Sequence, residues 1–287
     1  MKRLAAVLVA VAALVAACGN DSDSVSTPEG PAPNPPAGAD ELVIQVTTGG
    51  GLIAPQSLAV EIPAISVFGD GTFIVPGPTT LEYPGPALPN LQQGRLRDGE
   101  VERLLNAARD AGLLDDEPPD FGDPGVTDMP STTILIDAGG AQHRVSIYAL
   151  DFVEGDSNLD DNQRAARDRV REFVDSLPGD AATDPYAAGG FAVLVRPYIA
   201  ADVPGAGQAD WPLGDLAGAG EPIEAFGSDT RCLVVTGTDA EAVLAVAADA
   251  REGARWRSNG VDYSLTFRPL LPHETGCESL RPEFGGA

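Results

Sequence analysis

Apolar and β-branched residues recur in short runs along the first third of the chain, separated by glycine, proline and aspartate. Residues 42–47 and residues 58–62 have this composition and predict two strands. Residues 65–68 and 72–75 are separated by Gly69-Asp70-Gly71, which suits a tight turn, so they predict a β-hairpin. We therefore expect antiparallel β-structure in this part of the chain.

Helical spacing follows the first strands and returns after a second predicted hairpin. Asp98 is placed to cap a helix whose buried face comprises Val101, Leu104, Leu105 and Ala108. Residues 132–137 and 142–149, joined at Gly139-Gly140, predict the second hairpin. Asp160 is placed to start another helix, which is expected to end at Pro178-Gly179.

The second half of the chain contains the same kinds of element. Three runs predict strands: residues 191–196, 232–236 and 261–265. Residues 239–251 have the periodicity of a helix. Thr238 and Glu241 have the spacing of a capping box at the start of that helix. Asn259-Gly260 lies between residues 256–258 and the last strand, and it is the strongest two-residue hairpin pattern in the chain.

These elements predict an α+β protein with two small domains, each an antiparallel sheet with helices packed on one face. The domains are expected over residues 41–178 and 190–287, with a linker over residues 179–189. The order of hairpin, helix and a strand pair beginning at Pro130-Ser131-Thr132-Thr133 resembles a family of bacterial domains of unknown function. That resemblance implies an order of elements and brings no catalytic residues.

The N-terminal residues predict an export signal. Lys2 and Arg3 precede an unbroken apolar run over residues 4–17, which is typical of a secretory signal peptide and too short for a comfortable membrane span. The run ends in Leu14-Val15-Ala16-Ala17-Cys18, which resembles the lipobox of bacterial lipoproteins. The resemblance implies that residues 1–17 are removed and that Cys18 is lipidated. An ordinary signal peptide ending near a cysteine is the alternative.

A lipidated Cys18 would place the protein on the extracytoplasmic face of the cell membrane, held by acyl chains such as palmitate. Residues 18–40 are polar and rich in proline, glycine and serine, without apolar periodicity. Such a segment does not bury a core, so it predicts a disordered tether between the anchor and the first domain.

The chain is strongly acidic, with 43 Asp and Glu residues against 18 Lys and Arg residues and a formal net charge of -25. Nucleic acids and anionic lipid surfaces are bound through positive charge, so neither is expected as a direct partner. Lys is absent beyond Lys2, which excludes Schiff-base catalysis and a phosphate-loop lysine in the mature chain. Solubility is the simplest reason for the charge, and binding of cations or of a basic partner is the alternative.

The cysteines support an exported location. If Cys18 carries lipid, Cys232 and Cys277 remain, and an oxidising compartment favours one disulfide between them. A shared metal ion is the weaker alternative, because no histidine or further cysteine lies near either residue in the sequence.

Candidate cation ligands occur before the second helix. Asp156, Asn158 and Asp160 have the spacing of oxygen ligands that begin a calcium loop, but Asp161 and Arg167 replace its glycine and glutamate. A weak cation site is therefore a candidate, and a role in starting the helix is the alternative. No other metal site and no cofactor are expected.

One segment resembles a hydrolase motif, but the chain lacks the catalytic base that the motif requires. Residues 155–159, Gly-Asp-Ser-Asn-Leu, resemble the nucleophile block of a lipase and esterase family. That family supplies its base from a downstream Asp-x-x-His, whereas this chain has Leu270-Leu271-Pro272-His273 there. The only two histidines, His143 and His273, fall in different predicted domains, and neither is paired with a nucleophile in the sequence.

The expected function is binding. Tyr83 lies among prolines, which reduce the entropy cost of holding an aromatic ring at a surface, so it is a candidate for partner recognition; packing over the sheet edge is the alternative. We expect a non-enzymatic binding or structural module of the cell envelope, whose partner is an envelope protein or a cell-wall component. The alternative is a carboxylate-dependent hydrolase of envelope polymers, for which the candidate acids are Glu82, Asp116, Asp120, Asp123 and Asp128.

Overall fold

The computed structural model describes residues 34–51, 61–179, 184–199, 205–223 and 229–280. These residues belong to one compact unit that begins at Pro33. They form two β-sheets, of seven and six strands, and three α-helices. The predicted signal peptide and Cys18 lie outside the described residues.

The first sheet contains seven strands and is antiparallel at every described pair. In chain order its strands are β1 (Leu42–Gly49), β2 (Ile65–Phe68), β3 (Thr72–Pro76), β4 (Leu91–Arg95), β5 (Ser131–Ala138), β6 (Ala141–Tyr148) and β7 (Asp184–Pro185). Their order across the sheet is β6-β5-β1-β2-β3-β4-β7. The strand β6 and the two-residue strand β7 are therefore its edges.

Local turn chemistry explains the two hairpins of this sheet, and both predictions are confirmed. Gly139 and Gly140 have φ of 74° and 82°, the left-handed backbone that a two-residue type I′ turn requires. Between β2 and β3, the Asp70 carboxylate accepts hydrogen bonds from the Thr72 N–H (2.8 Å) and hydroxyl (3.0 Å). Gly71 completes that turn with φ of 85°.

Two helices, α1 (Glu100–Asp110) and α2 (Asp161–Asp175), share the core of the first sheet. Their apolar residues recur one turn apart and so lie on one face of each helix. The fully buried members of this core include Leu104, Leu105 and Val170 from the helices and Val43, Ile44 and Val67 from the strands. The buried face predicted for α1, Val101, Leu104, Leu105 and Ala108, is confirmed.

The starts of the two helices differ. Asp160 caps α2 through a capping box, because its Oδ1 accepts from the Gln163 N–H (2.9 Å) and its own N–H donates to the Gln163 Oε1 (3.1 Å). The predicted cap at Asp98 is wrong. The N-cap of α1 is Gly99, with φ of 80° and no side-chain cap, a backbone that glycine adopts without steric cost.

The second sheet contains six strands. In chain order they are β8 (Gly190–Pro197), β9 (Gln208–Asp210), β10 (Glu221–Pro222), β11 (Arg231–Thr236), β12 (Arg255–Ser258) and β13 (Val261–Pro269). Their order is β10-β11-β8-β13-β12-β9. The hairpin predicted around Asn259-Gly260 is confirmed as β12 and β13.

One pair in this sheet departs from the expected antiparallel arrangement. The strand β9 runs parallel to β12, so the prediction of a purely antiparallel second sheet is wrong at this edge. In the chain, β9 and β12 are separated by β10, β11 and a helix. A long connection of this kind permits parallel neighbours, whereas a tight turn joins only antiparallel ones.

The third helix, α3 (Gly237–Ala247), contributes Val243 and Ala247 to the core of the second sheet, where Trp256 is fully buried. The capping box predicted at Thr238 and Glu241 is wrong. The helix begins earlier, after Thr236, so both residues lie inside its first turns.

Short strands were not predicted from the pattern. The strands β4, β7, β9 and β10 are polar or only two to three residues long, so they have no apolar periodicity. The predicted linker over residues 179–189 contains β7, which pairs with β4. The predicted strand over residues 58–62 falls mostly outside the described residues, and Glu61 and Ile62 are not in a strand.

Candidate binding site

The loop between β3 and β4, residues 77–90, carries two large apolar side chains into solvent. Leu81 is fully exposed and the Tyr83 side chain is 77% exposed, more than any other large hydrophobic residue among those described. The peptide bond between Tyr83 and Pro84 is cis. Isolated exposed apolar residues are common on protein surfaces, but two within three positions form a small patch.

The base of this loop is closed by hydrogen bonds between its two ends. The Gly77 N–H donates to the Asn90 carbonyl (2.8 Å), and the Asn90 side-chain amide donates to the Pro78 carbonyl (2.9 Å). The two ends therefore leave the sheet together, as a continuation of the β3–β4 pair.

The far side of the loop is bound to the segment that follows α3. The Glu252 N–H donates to the Gly85 carbonyl (2.8 Å), and the Ala87 N–H donates to the Ala250 carbonyl (3.0 Å). Leu88 also packs against the core of the second sheet. The loop is therefore held by main-chain bonds on both sides of Leu81 and Tyr83.

Glu82, between the two exposed residues, pairs with Arg251 at 2.9 Å. Both side chains are substantially exposed, and such pairs contribute about 0–1 kcal/mol. The Glu82 charge is therefore paired, while Leu81 and Tyr83 remain in solvent. The loop thus presents an apolar surface in a strongly acidic protein.

The segment after β13 contacts the first sheet on the opposite side from α1 and α2. Phe68, Ile74, Leu91 and Leu271 form a separate buried cluster there. The Tyr186 hydroxyl donates to the Leu270 carbonyl (2.8 Å). This cluster joins residues that the sequence assigned to different domains.

A buried ion pair lies beside this cluster. Arg268 and Glu274 are 3% and 5% exposed and 2.7 Å apart, and Glu274 also accepts from the Leu271 N–H (2.7 Å). The Arg268 Nε–H donates to the Glu61 carbonyl (3.2 Å). Because both charges are paired and hydrogen-bonded, their burial is tolerated.

Two titratable groups respond to this environment. Burial lowers the pKa of His273, whose ring centroid lies 5.7 Å from that of Phe68 and whose Nδ1 is buried without a hydrogen bond. The Glu274 charge raises the pKa of His273, and the Arg268 charge lowers it further. Burial likewise raises the pKa of Tyr186 to about 12, so its hydroxyl stays a donor at physiological pH.

Asp156, predicted as a candidate cation ligand, binds two arginines. Its Oδ1 lies 3.1 Å from Arg167 Nε and its Oδ2 lies 2.6 Å from Arg171 Nη2. Asn158 donates to the Pro124 carbonyl (2.7 Å), and Asp160 caps α2. Each of the three side chains therefore has a structural partner, and the Asp156 charge is matched by guanidinium groups.

The carboxylates considered for hydrolysis, Glu82, Asp116, Asp120, Asp123 and Asp128, are all exposed, and three of them have structural partners. Asp120 accepts from the Gly122 N–H and from the Gln163 side chain, Asp123 accepts from the Gly125 N–H, and Glu82 pairs with Arg251. The Gln163 hydrogen bond, followed by that from Gly122, lowers the pKa of Asp120. Within the described ranges, no group of three or more His, Cys, Asp or Glu is arranged to hold a metal ion.

The disulfide predicted between Cys232 and Cys277 is present, with Cα atoms 6.0 Å apart. It joins β11 to the 3₁₀ turn Cys277–Leu280 across a sequence separation of 45. Cys232 and Leu280 pack in one small cluster with Leu194 of β8. The bond therefore attaches the C-terminal end of the described chain to the second sheet.

Sequence reasoning selected Tyr83 and missed Leu81, Arg268 and Glu274. Leu81 follows two threonines in a proline-rich loop, and an apolar residue in such a segment was the available signal. Arg268 and Glu274 carry no local signal, because their burial arises from contact between β13 and the distant Glu61.

Comparison of this chain with known proteins identified no similar protein. No family model matches the chain, and no curated protein or solved structure matches it. None of the helices in the described ranges has both the length and the apolar character needed to cross a bilayer.

Proposed function

We propose that this chain is a lipid-anchored binding module of the bacterial cell envelope, which recognises a partner through the loop that carries Leu81 and Tyr83. The observation that carries the proposal is the exposure of both side chains on a loop held at both ends by main-chain hydrogen bonds. A loop fixed before binding loses less conformational entropy when a partner covers it. The partner is an envelope protein or a cell-wall component that offers an apolar surface.

The location is supported by features at opposite ends of the chain. The sequence Leu14-Val15-Ala16-Ala17-Cys18 resembles a lipobox, and a disulfide between Cys232 and Cys277 fits an oxidising compartment outside the cytoplasm. The polar segment over residues 18–40 suits a tether that lets the folded part reach a partner away from the membrane.

We propose further that the two sheets represent two domains, residues 41–178 and 190–287, with their helices on one face of each sheet. Their separate main cores support this: one unites the first sheet with α1 and α2, and the other unites the second sheet with α3. The cluster around Phe68 and Leu271 and the loop contact at Gly85 would then form the interface between them.

Lipidation is tested by comparing replacement of Cys18 with replacement of another cysteine. The full chain, produced in a bacterial host fed with labelled palmitate, is expected to carry label and to sediment with membranes. Cys18→Ser is expected to lose both properties, whereas Cys277→Ser, which also removes one cysteine, keeps them. Labelled Cys18→Ser protein, or unlabelled wild-type protein, would contradict the anchor.

Recognition by the loop is tested with a photo-crosslinking amino acid in place of Tyr83 in the full chain in cells. We expect a discrete crosslinked product whose yield falls when Leu81→Ser is combined with the probe. The control position is Val153, which is 59% exposed and lies on a 3₁₀ turn, Val153–Asn158. Equal products from both positions, or no effect of Leu81→Ser, would count against recognition by this loop.

A further inference from the structure

The outer face of the second sheet, on the side away from α3, carries a row of polar side chains with two arginines. Arg255 of β12 lies opposite Ser264 of β13, and Ser264 lies opposite Arg196 of β8. Directly opposite residues share one face of a sheet. Their neighbours Val195 and Trp256 pack in the core with α3, and side chains alternate along a strand, so this row faces away from the helix.

A second row on the same face lies two residues further along these strands. Arg257 lies opposite Asp262 of β13 and opposite Asp210 of β9. Asp262 pairs with both Arg257 (3.1 Å) and Arg255 (3.6 Å). The two rows together hold three guanidinium groups and two carboxylates. This part of the surface is therefore positive, although the chain has a net charge of -25.

Arg196 is the arginine of this face that lacks a partner. Its Nε is buried and has no hydrogen-bond acceptor among the described residues. None of the carboxylates in the described ranges pairs with its guanidinium group, and Asp262 is already shared by the other two arginines. A buried charged donor without an acceptor is costly, so such a group in a folded protein calls for an acceptor from outside the chain.

The spacing of the first row suits one small acceptor. Arg196 and Arg255 lie on either side of β13, so their Cα atoms are about 10 Å apart at the usual distance between strands. Ser264 lies between them on β13. Arginine side chains are long enough to bring both guanidinium groups to one acceptor above the Ser264 hydroxyl. All three groups can donate hydrogen bonds to it.

We propose that Arg196, Ser264 and Arg255 bind the phosphate group of a small ligand. A phosphate group carries a charge of about -1.5 to -2 and three strong acceptor oxygens, which matches two guanidinium groups and a hydroxyl. A carboxylate offers only two oxygens and a single charge. The planar, permanently charged guanidinium group suits bidentate binding of phosphate. A phosphate oxygen would also give the Arg196 Nε–H the acceptor that it lacks.

The charge of the whole chain limits the size of this ligand. A net charge of -25 repels an extended anionic surface or polymer, whereas one phosphate group needs only the local donors of the first row. The ligand is therefore inorganic phosphate or a small phosphate monoester. The site shares no residue with the Leu81 and Tyr83 loop and does not depend on recognition there.

The variant that tests the site is Arg196→Met, with Arg103→Met as its matched control. Both changes remove one guanidinium group and keep an unbranched side chain. Arg103 lies on α1, is exposed and pairs with Glu100 at 2.9 Å. Because the Arg196 Nε has no acceptor in the unliganded chain, we expect Arg196→Met to keep or raise the thermal midpoint in phosphate-free buffer. A purely structural arginine would instead lower the midpoint when it is replaced.

The probes are inorganic phosphate, glycerol phosphate and acetate, titrated by calorimetry into the full chain in detergent at an ionic strength held constant with sodium chloride. We expect inorganic phosphate to saturate one site. Arg196→Met and Arg255→Met should each bind it about tenfold more weakly, and Arg103→Met should bind it as wild type does. Equal binding of glycerol phosphate would support a phosphate monoester as the ligand, whereas binding of inorganic phosphate alone would support the free ion.

Four results would overturn the proposal. They are absence of saturable phosphate binding, binding of acetate as tight as that of phosphate, equal weakening by Arg103→Met and Arg196→Met, and a thermal midpoint of Arg196→Met below that of wild type in phosphate-free buffer. The second would assign the row to carboxylates, the third to net charge alone, and the fourth would show that Arg196 is structural. A failure of crosslinking at Tyr83 would leave this site unaffected.

Discussion

Replacement of Asp156 by asparagine should destabilise the fold severely, because it leaves a buried positive charge without its counter-ion. Arg167 is completely buried and lies 3.1 Å from the Asp156 carboxylate. Its remaining contacts are the carbonyls of Phe121, Tyr148 and Ala149, which accept its hydrogen bonds but carry no charge. Burial lowers the pKa of Arg167, and the Asp156 charge opposes that effect.

The expected magnitude follows from the burial of the pair. Breaking a buried ion pair by removing one partner costs about 3–5 kcal/mol, since the other charge stays in a medium of low polarity. At about 2–4 °C per kcal/mol for a chain of this size, the thermal midpoint should fall by roughly 6–20 °C. Asparagine keeps the shape of aspartate, so lost packing contributes little.

The control is Asp168→Asn, which removes a second carboxylate from the same arginine cluster. Asp168 pairs with Arg171 at 2.9 Å, but its side chain is 65% exposed, so the change should cost less than about 1 kcal/mol. Urea unfolding of both variants, followed by circular dichroism with the disulfide intact, measures the difference. The reasoning is refuted if Asp156→Asn falls within 1 kcal/mol of Asp168→Asn.

Two further predictions concern the second half of the chain. Reduction of the disulfide, or Cys277→Ser, should lower the free energy of unfolding by roughly 4 kcal/mol, on the loop-entropy model for a sequence separation of 45. Urea unfolding measures the loss as a lower midpoint. An unchanged midpoint of the wild-type protein in reductant would contradict this. Because burial lowers the pKa of His273, the unfolded chain takes up a proton there more readily, so part of the stability present at about pH 7.5 is lost as the pH falls below about 6.5. The urea midpoints measured at about pH 7.5 and 5.5 should differ less in His273→Gln than in wild type. A pH difference in His273→Gln as large as in wild type would contradict the explanation.

Much of the local structure was predictable from the sequence, because its causes lie within a few residues. Gly139-Gly140 and Asn259-Gly260 permit the positive φ that two-residue hairpins need, so both hairpins were identified without knowledge of their neighbours. Asp160 and Gln163 likewise form a capping box at a fixed spacing. Helix starts without such a side chain, as at Gly99, were misplaced.

The candidate sites were harder to predict from the sequence, because they depend on contacts between residues distant in the chain. The pairing of Cys232 with Cys277 was expected because a lipidated Cys18 leaves two cysteines in an oxidising compartment, and Tyr83 was selected from its proline-rich surroundings. The partners of Asp156 were not predictable, because Arg167 and Arg171 reach it only after α2 packs on the first sheet. The same carboxylate that suggested a cation ligand in the sequence is neutralised by these two side chains.

The sequence by itself determined the hairpins, the amphipathic helices and the disulfide, since each depends on turn chemistry, residue periodicity or cysteine number. Only the tertiary structure decided the parallel β9–β12 pair, the buried Arg268–Glu274 pair and the two arginine partners of Asp156. Each of these depends on how separate elements pack, and which elements meet is decided by how the sheets and helices bury their apolar faces together.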